Sequence, residues 1–330
     1  MDDRPDAVSL RARGMLALGV VYVVWGSSYL AMRFLVSSAP PLLGAGTRFL
    51  TAGVLLAGIV AVVSGPGALR LRPSWLGSAA LTGLLLPAMG SGLVTVAERH
   101  VASGLAALLV AGVPLFVALA RWALGDRPPT GTVVGVVVGL AGLVVLLAVR
   151  DGFGGTHDAA WWGPPLVLVA ALGSSVGSVV AVRLPVSPYP FAQCAAEMAF
   201  GGGALTAAGL VAGERVAVDA VSGDSWWAWL YLVTFGAVLA FAAYAFALRA
   251  LPVSTVSTYA YVNPVVAVVL GATVVGEPVT PSQLVGGGLV LLAVVLVTLA
   301  ERGGPAGRGT GHRRRESGGG SAFRRASVAA

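Results

Sequence analysis

The sequence predicts an all-α membrane protein, in which ten transmembrane helices form two inverted five-helix repeats. Hydrophobic residues make up 57% of the 330 residues and charged residues only 11%, far less charge than a soluble domain of this length needs. Apolar runs of about 20 residues recur along the chain, and each can cross a hydrocarbon core of about 30 Å as a helix. The alternating segments of about 10 residues that build a membrane β-barrel do not occur.

The apolar runs fall into two groups of five, divided near the middle of the chain by a polar loop around His157. The predicted helices 1 to 10 cover residues 15–36, 42–63, 75–97, 101–124, 132–149, 161–182, 190–211, 226–248, 256–275 and 284–299. The predicted divisions of the chain are a cytoplasmic N-terminal segment over 1–14, a first repeat over 15–150, a second repeat over 161–300 and a disordered basic cytoplasmic tail over 301–330.

The second group of helices repeats the first. Helix 4 and its exit read VPLFVALARWALGD, with Pro114 in mid-helix, and helix 9 reads NPVVAVVLGATVVGE, with Pro264 in the matching place. The Gly-Asp pair at 125–126 matches the Gly-Glu pair at 276–277, and we expect both prolines to kink their helices. Because five is an odd number of helices, the two halves must cross the membrane with opposite topology. Inverted repeats around a midplane site are a recurring plan of secondary transporters.

Arginine is distributed unevenly between the predicted loops. With the N-terminus inside, most loop arginines and all those of the tail lie on the inner side, and the outer loops hold only Arg99, Arg150 and Arg215. Cytoplasmic loops of membrane proteins carry the excess of basic residues. The distribution therefore predicts that both termini are cytoplasmic, which requires an even number of helices and agrees with ten.

The net charge of +7 resides largely in the Gly/Ser-rich tail, whose arginines run from Arg302 to Arg325. A basic tail can bind nucleic acid, but a disordered segment beside an anionic membrane surface is the favoured interpretation, so no nucleic-acid partner is predicted. The single cysteine, Cys194, lies in an apolar segment, and the three histidines lie in loops or in the tail. No metal site, cofactor or catalytic residue is predicted.

Arg48 and Glu197 are the strongest site candidates, because polar groups inside a membrane helix are costly. Each lies about a third of the way into its helix, the two align across the repeat, and Gln193 lies one turn before Glu197. We expect both charges to face the interior and to be coupled, either as a pair or through a substrate cavity. Inversion places Arg48 nearer the outer face and Glu197 nearer the inner face, which disfavours direct contact. The alternative is that local partners let both charges fix helix packing.

Helix 1 carries four polar or aromatic residues on one face, spaced by three or four positions: Tyr22, Trp25, Tyr29 and Arg33. Aromatic rings beside a guanidinium suit the wall of a cavity for organic solutes. The alternative is an aromatic packing seam from which Arg33 reaches the membrane interface.

Helix 3 carries Ser91, Thr95 and Glu98 on one face, with Glu98 at its outer end. Glu98 suits a gate, a proton site or a substrate contact, or else a solvated loop position. Helix 9 places Tyr259 and Asn263 one turn apart before the proline, where a freed carbonyl makes a polar binding wall. The predicted substrate cavity consists of Trp25, Tyr29, Arg48, Ser91, Thr95, Glu98, Glu197, Tyr244, Tyr259 and Asn263.

The sequence resembles the EamA-domain members of the drug/metabolite transporter superfamily, in particular the YedA-like branch. The resemblance runs from helix 1 to helix 10 and is carried by WGSSYLAMRF, PPLLGAGTRFLTAG, LVTVAERHVASGLAALLVAGVPLF, CAAEMAF and STYAYVNPVVAVVLG. It implies ten helices in two inverted EamA repeats and a location in the cell (inner) membrane. It does not imply a substrate, since members export amino acids, metabolites or drugs. Gly125 lies one residue nearer its proline than Gly276 does, so we expect the end of helix 4 to differ from that of helix 9.

Three classes of function compete. The favoured one is a secondary transporter that exports small organic solutes across the plasma membrane by alternating access. A membrane-embedded enzyme is disfavoured because no catalytic cluster lies at membrane depth, and a non-transporting scaffold because it does not explain inverted symmetry. The expected partners are a small-molecule substrate and the lipid bilayer, and coupling to protons or another ion and homodimerisation are left open.

Overall fold

The protein is a bundle of ten helices in a computed structural model that describes residues 4–148 and 161–303. No strand occurs within these two ranges, and the predicted all-α fold is confirmed. The polar loop over 149–160 and the tail beyond 303 lie outside the described residues. In chain order the helices are α1 (Arg4–Val36), α2 (Pro41–Ser64), α3 (Pro73–Ala97), α4 (Ser103–Ala123), α5 (Thr130–Ala148), α6 (Gly163–Ala181), α7 (Pro190–Val211), α8 (Gly223–Ala250), α9 (Tyr259–Val274) and α10 (Pro281–Gly303).

Within the described ranges, nine helices are long and apolar enough to cross a membrane, and α9 is shorter, with 16 residues. α9 follows a separate short helix, Val253–Val256, and a turn, so it begins later than the predicted residue 256. Large apolar side chains such as Val62 and Val211 lie 87% and 89% exposed on the surface of the bundle. Such a surface suits contact with lipid tails, which are themselves apolar.

Helix ends differ from the predicted boundaries mainly at the two termini. α1 begins at Arg4 and not at residue 15, and α10 continues to Gly303, past the predicted start of the tail at 301. Hydropathy marks only the apolar part of a helix, whereas intrahelical hydrogen bonds continue into polar sequence. α7 has the predicted bounds.

The packing of the helices follows the repeat. α2 packs along α7 and α5 packs along α10, so two pairs of equivalent helices meet directly. α1 packs against α8 and α9, and its equivalent α6 packs against α3 and α4. This exchange of partners is what two inverted repeats related by a pseudo-two-fold axis require. The largest buried core surrounds Leu105, Leu109 and Val167 at the contacts of α1, α4 and α6.

Glycine permits the close contact between equivalent helices. A Cβ added at Gly142 of α5 would lie 2.8 Å from the carbonyl oxygen of Gly286 in α10, and one added at Gly286 would lie 2.9 Å from that of Gly142. α2 and α7 show the same reciprocal contact between Gly46 and Gly202, at 2.9 and 2.8 Å. Small residues at helix interfaces are how membrane helices gain van der Waals contact.

Equivalent helices are each followed by a glycine with positive φ, although the ψ of 154° at Gly65 differs from that of a left-handed helical cap. Gly65 after α2 and Gly213 after α7 have φ of 81° and 79°, and Gly125 after α4 and Gly276 after α9 have φ of 95° and 67°. Positive φ at the residue after a helix is a common C-terminal cap and favours glycine. The described connections after α1, α3, α7 and α9 form one end of the bundle, which we name the odd-turn end. The opposite, even-turn end carries the other described connections.

The structure interrupts α4 just before Pro114, where the sequence predicts a kink, so the proline follows a helix break and does not lie inside a continuous helix. α4 is divided into Ser103–Val110 and Val113–Ala123 by a turn, and Pro114 occupies the first turn of the second part. There its missing N–H costs nothing, since the first N–H groups of a helix lack intrahelical partners. Pro264 lies inside α9, as expected.

Two π-helical segments at equivalent places were not predicted. They are Leu84–Gly92 in α3, which contains Pro87, and Leu232–Leu239 in α8. Hydrophobic periodicity does not distinguish such segments from an α-helix, so the sequence pattern gave no signal for them. π-helical turns occur frequently at functional sites, and both of these border the central cavity described below.

Candidate functional site

A cavity of about 410 Å³ lies among α1, α2, α3, α4, α6, α7, α8 and α9, within the range of small-molecule sites. Residues of both repeats line it, and it reaches from Arg48 on one side to Glu197 on another. Seven of the ten predicted cavity residues are in its wall: Trp25, Tyr29, Arg48, Ser91, Glu197, Tyr259 and Asn263.

Arg48 reaches the cavity from α2, where its side chain is 5% exposed. Its Nη2 donates a hydrogen bond to the Oγ of Ser91 at 2.5 Å, and its guanidinium carbon lies 4.5 Å from the centre of the Phe49 ring. Its Nε is buried and has no hydrogen-bond acceptor among the described residues. A buried donor without an acceptor is costly, so Arg48 is suited to binding an acidic group of a ligand.

Glu197 reaches the cavity from α7 and has partners of its own. Its Oε1 accepts a hydrogen bond from the Oγ1 of Thr82 at 2.9 Å. Gln193, one turn earlier, is 6% exposed, and its Nε2 donates to the carbonyl oxygen of Trp75 at 3.4 Å. Arg48 and Glu197 therefore face one cavity, with separate hydroxyl partners.

Aromatic rings from α1, α8 and α9 form one side of the site. The Trp25 ring centre lies 5.2 to 5.6 Å from those of Phe241, Tyr244 and Tyr259, and its Nε1 donates to the carbonyl oxygen of Gly236 at 3.2 Å. Tyr244 lies behind the other rings and is not part of the cavity wall. Such a wall suits an apolar or aromatic part of a solute.

Asn263 lies where α9 approaches the cavity, immediately before Pro264. Its Oδ1 is buried and receives no hydrogen bond from any described residue. Together with the Nε of Arg48, it gives the site one free acceptor and one free donor.

Thr95 and Glu98 lie beyond the cavity, toward the odd-turn end. Thr95 is fully buried, and its Oγ1 contacts the Sδ of Met32 at 3.1 Å. Glu98, one residue past the end of α3, is only 1% exposed. Burial, and then the negative charge of Glu277, raise the pKa of the Glu98 carboxyl well above its usual range, although Arg33 opposes this. The alternative of a solvated loop residue does not hold.

Glu277 closes the odd-turn end, a role that the sequence did not reveal. Its Oε1 accepts from the backbone N–H of Ser103 at 2.9 Å, and its Oε2 accepts from the Oγ of Ser103 at 3.0 Å and from the N–H of Gly104 at 3.2 Å. Its Oε1 also lies 3.2 Å from the Nε of Arg33. The carboxylate thus joins α1, the N-terminus of α4 and the α9–α10 connection, where a negative charge is favoured.

Arg33 completes this closure from α1. Its Nη1 donates to the carbonyl oxygens of Glu98 at 3.3 Å and Val101 at 3.1 Å. Arg33 is therefore not in the cavity wall, which was one of the two positions that the sequence pattern of helix 1 allowed. We name Arg33, Glu277, Ser103 and Gly104 the odd-turn clasp.

A second carboxylate caps a helix at the same end. Glu214, which follows the left-handed Gly213, accepts hydrogen bonds from the N–H groups of Leu42 at 3.2 Å and Leu43 at 2.8 Å at the start of α2. Both Glu214 and Glu277 follow a glycine after a helix, and that shared Gly-Glu pattern was the signal available in the sequence. The backbone N–H groups that these carboxylates bind are far away along the chain, so the pattern alone did not identify the two capping residues.

No group of three or more metal-ligating side chains occurs in the described part of the chain. The site is organised around the guanidinium of Arg48, the carboxylate of Glu197 and aromatic rings.

Comparisons with known proteins agree with this architecture. A model of the EamA-like transporter family matches residues 12–148 and 161–299. The chain is 40% identical over 287 residues to the "Uncharacterized inner membrane transporter YedA" of Escherichia coli (strain K12), covering 86% of this chain and 90% of that protein. It is 28% identical over 291 residues to the "Probable terminal-alkyne amino-acid exporter" of Streptantibioticus cattleyicolor, covering 87% and 93%.

One solved crystal structure also shares the fold. Its chain superposes with a TM-score of 0.57 at 22% sequence identity, covering 88% of this chain and 98% of that chain. At this identity the similarity concerns the fold alone, and it extends over nearly the whole helix bundle.

Proposed function

The chain belongs to the EamA-like transporter family, and we propose that it is a secondary transporter that exports small organic solutes across the inner membrane by alternating access. It is a multi-pass membrane protein whose relatives are named as transporters, which disfavours an enzymatic function. The observation that carries the proposal is the central cavity, which has opposite charges, Arg48 and Glu197, on its wall between two inverted repeats.

The chemistry of the cavity favours an amino acid as the solute. A carboxylate suits the free Nε of Arg48, and an ammonium group suits Glu197. The aromatic side with Trp25 and Tyr259 suits the side chain of the solute. The name of the Streptantibioticus relative, an amino-acid exporter, supports this choice of class.

We infer export from the proposed orientation. The arginine distribution assigns the even-turn end to the cytoplasm and the odd-turn end to the outside. The odd-turn clasp and the Glu214 cap then close the outer side. A chain closed on the outer side is in position to load a solute from the cytoplasm, and an ion gradient would drive its export.

Counterflow in proteoliposomes tests the proposal directly. Vesicles preloaded with an unlabelled amino acid should accumulate the same radiolabelled amino acid faster than protein-free vesicles, across a panel with aliphatic, aromatic and charged side chains. Arg48→Gln should reduce the rate about 10-fold or more, because a hydrogen bond to a charged group contributes roughly 1.5–3 kcal/mol. Arg99→Gln, an exposed arginine outside the cavity, is the matched control. Absence of counterflow for every member of the panel would contradict an amino-acid substrate.

A further inference from the structure

We propose that Glu98 is a proton-binding site and that its protonation holds the odd-turn end closed. The inference rests on the proposed transport function and deepens it, because it names the group through which external pH would control closure of the transporter. Its test measures opening of one end of the protein and needs no substrate.

The surroundings of Glu98 do not stabilise the charged form of its carboxyl group. The side chain is 1% exposed, and neither carboxylate oxygen receives a hydrogen bond from any residue in the described ranges. A buried carboxylate without a donor is strongly disfavoured, whereas a protonated carboxyl carries no charge. In this conformation the neutral acid is the form that fits.

The surrounding cations do not supply the missing donors. The Nε of Arg33 pairs with Glu277, and its Nη1 is directed to the backbone of Glu98 and not to the carboxyl group. Arg48, on α2, donates its Nη2 to Ser91. Tyr29 on α1 is a further ionisable group beside Glu98.

Closure and protonation are linked through Arg33 and Glu277. In the closed state the Glu277 carboxylate forms an ion pair with the guanidinium of Arg33. The negative charge of Glu277 also disfavours a second negative charge on Glu98. When Glu277 leaves the clasp, Arg33 is free to pair with Glu98 and water reaches the site, so Glu98 transfers its proton to water and forms hydronium. Reclosure requires a proton to return to Glu98 from that side.

In the proposed orientation, this order of events makes closure of the odd-turn end depend on external pH, because the proton is released and taken up on the same side and none crosses the membrane. The odd-turn end faces the outside, where protons are taken up before the transporter returns to its inward-loading state. An acidic exterior would then accelerate the return of the empty transporter.

A single-cysteine accessibility assay tests the link. The full chain carries one cysteine, so Cys194→Ala gives a cysteine-free parent. Ser225 is fully buried at the odd-turn end, where its Oγ donates to the carbonyl oxygen of Phe34 at 2.7 Å, and Asp224 beside it is exposed. Ser225→Cys reports opening, and Asp224→Cys is the matched control. The ratio of their labelling rates with a membrane-impermeant maleimide cancels the pH dependence of thiol reactivity.

We expect the ratio in the parent to be low in acid and to rise with pH. With Glu98→Gln, which mimics the protonated acid, the ratio should stay low at every pH. Glu98→Ala, should the first variant not fold, must likewise abolish the pH dependence. A flat parent profile, or an unchanged rise in the Glu98 variant, overturns the proposal.

Two further variants separate Glu98 from its neighbours. Glu277→Gln should give a high ratio at all pH values, because the clasp is lost, and a low ratio overturns the proposed link. His100, two residues from Glu98, packs against Trp162 with ring centres 4.9 Å apart. His100→Gln should keep the rise of the parent, and its loss would assign the titration to His100. Counterflow measured separately shows whether transport survives, so a failure of the proton site is distinguished from a failure of the transport proposal.

Discussion

Glu277 caps the N-terminus of α4, whereas Asp126, at the equivalent position of the first repeat, pairs with Arg121 on the surface. Each follows a glycine with positive φ at the end of a helix. The backbone N–H of Asp126 bonds five residues back, to Arg121, and that of Glu277 bonds six residues back, to Gly271, which reflects the extra residue in helix 9. One repeat is thus fastened at its end of the bundle by a buried carboxylate, while the described residues of its counterpart are held by exposed pairs of Arg121 with Asp126 and Glu301. Such an asymmetry is expected of one state in an alternating-access cycle.

The two acidic residues should differ in their contribution to stability. Glu277→Gln removes the negative charge that faces Arg33 and replaces one of the two acceptor oxygens at the start of α4 by a donor, which should cost about 1–3 kcal/mol. Asp126→Asn removes an ion pair whose partners are 43% and 53% exposed, which should cost about 0–1 kcal/mol. Thermal unfolding in detergent should show a clearly lower Tm for Glu277→Gln than for Asp126→Asn, and equal values would contradict the asymmetry.

Close helix contact predicts a difference between neighbouring glycines of α10. Gly286→Ala places a Cβ against the carbonyl oxygen of Gly142 and should cost about 1–3 kcal/mol through overpacking. Gly288→Ala, two residues on, meets no atom within 4 Å and is the matched control. The control should unfold at the wild-type temperature or slightly above it, and a Gly286 variant as stable as the control would disprove the tight α5–α10 contact.

Arg48 and Glu197 should behave as independent residues in a stability cycle. Arg48 bonds Ser91 and Glu197 bonds Thr82, so neither is the hydrogen-bond partner of the other. The stability losses of Arg48→Ala and Glu197→Ala should therefore add in the double variant to within about 0.5 kcal/mol. A double variant more stable than that sum would indicate the direct pair that the sequence left open.

The proposed topology places both termini in the cytoplasm. A reporter fused at Ser222, in the α7–α8 connection, should read as external, and one at Pro73, at the start of α3, as internal. A fusion at Gly154, outside the described residues, should also read as external. An external C-terminus would contradict this topology.

The bundle itself could be predicted because lipid demands long apolar helices, and a run of about 20 such residues is visible in any sequence. The interruptions within the helices could not be predicted in this way. Pro114 marks a helix break whose position depends on the turn at Ala111 and Gly112, and the π-helical segment around Pro87 shares the periodicity of an ordinary helix. Sequence repeats located Arg48 and Glu197 but not their partners, which come from other helices.

Glu98 and Arg33 show the limit of arguments from one helix at a time. On its own helix, Glu98 suits a solvated end equally well, and its burial depends on α1 and on Glu277 more than 170 residues away. Arg33 shares a face with Trp25 and Tyr29, yet it turns to the clasp because the carboxylate and the carbonyls that satisfy it lie there. The sequence prediction placed Tyr244 in the cavity because it is an aromatic residue, and in the structure its ring packs behind that of Trp25.

Amino-acid counterflow by the wild-type protein and by Glu197→Gln tests the account most directly. For the best amino acid of the panel and its analogue without the amino group, the wild type should favour the amino acid, and Glu197→Gln should lower that preference about 10-fold, the equivalent of roughly 1.4 kcal/mol. Glu301→Gln, an exposed glutamate outside the cavity, should leave the preference unchanged. A preference that survives in Glu197→Gln would contradict a central cavity that binds its solute between Arg48 and Glu197.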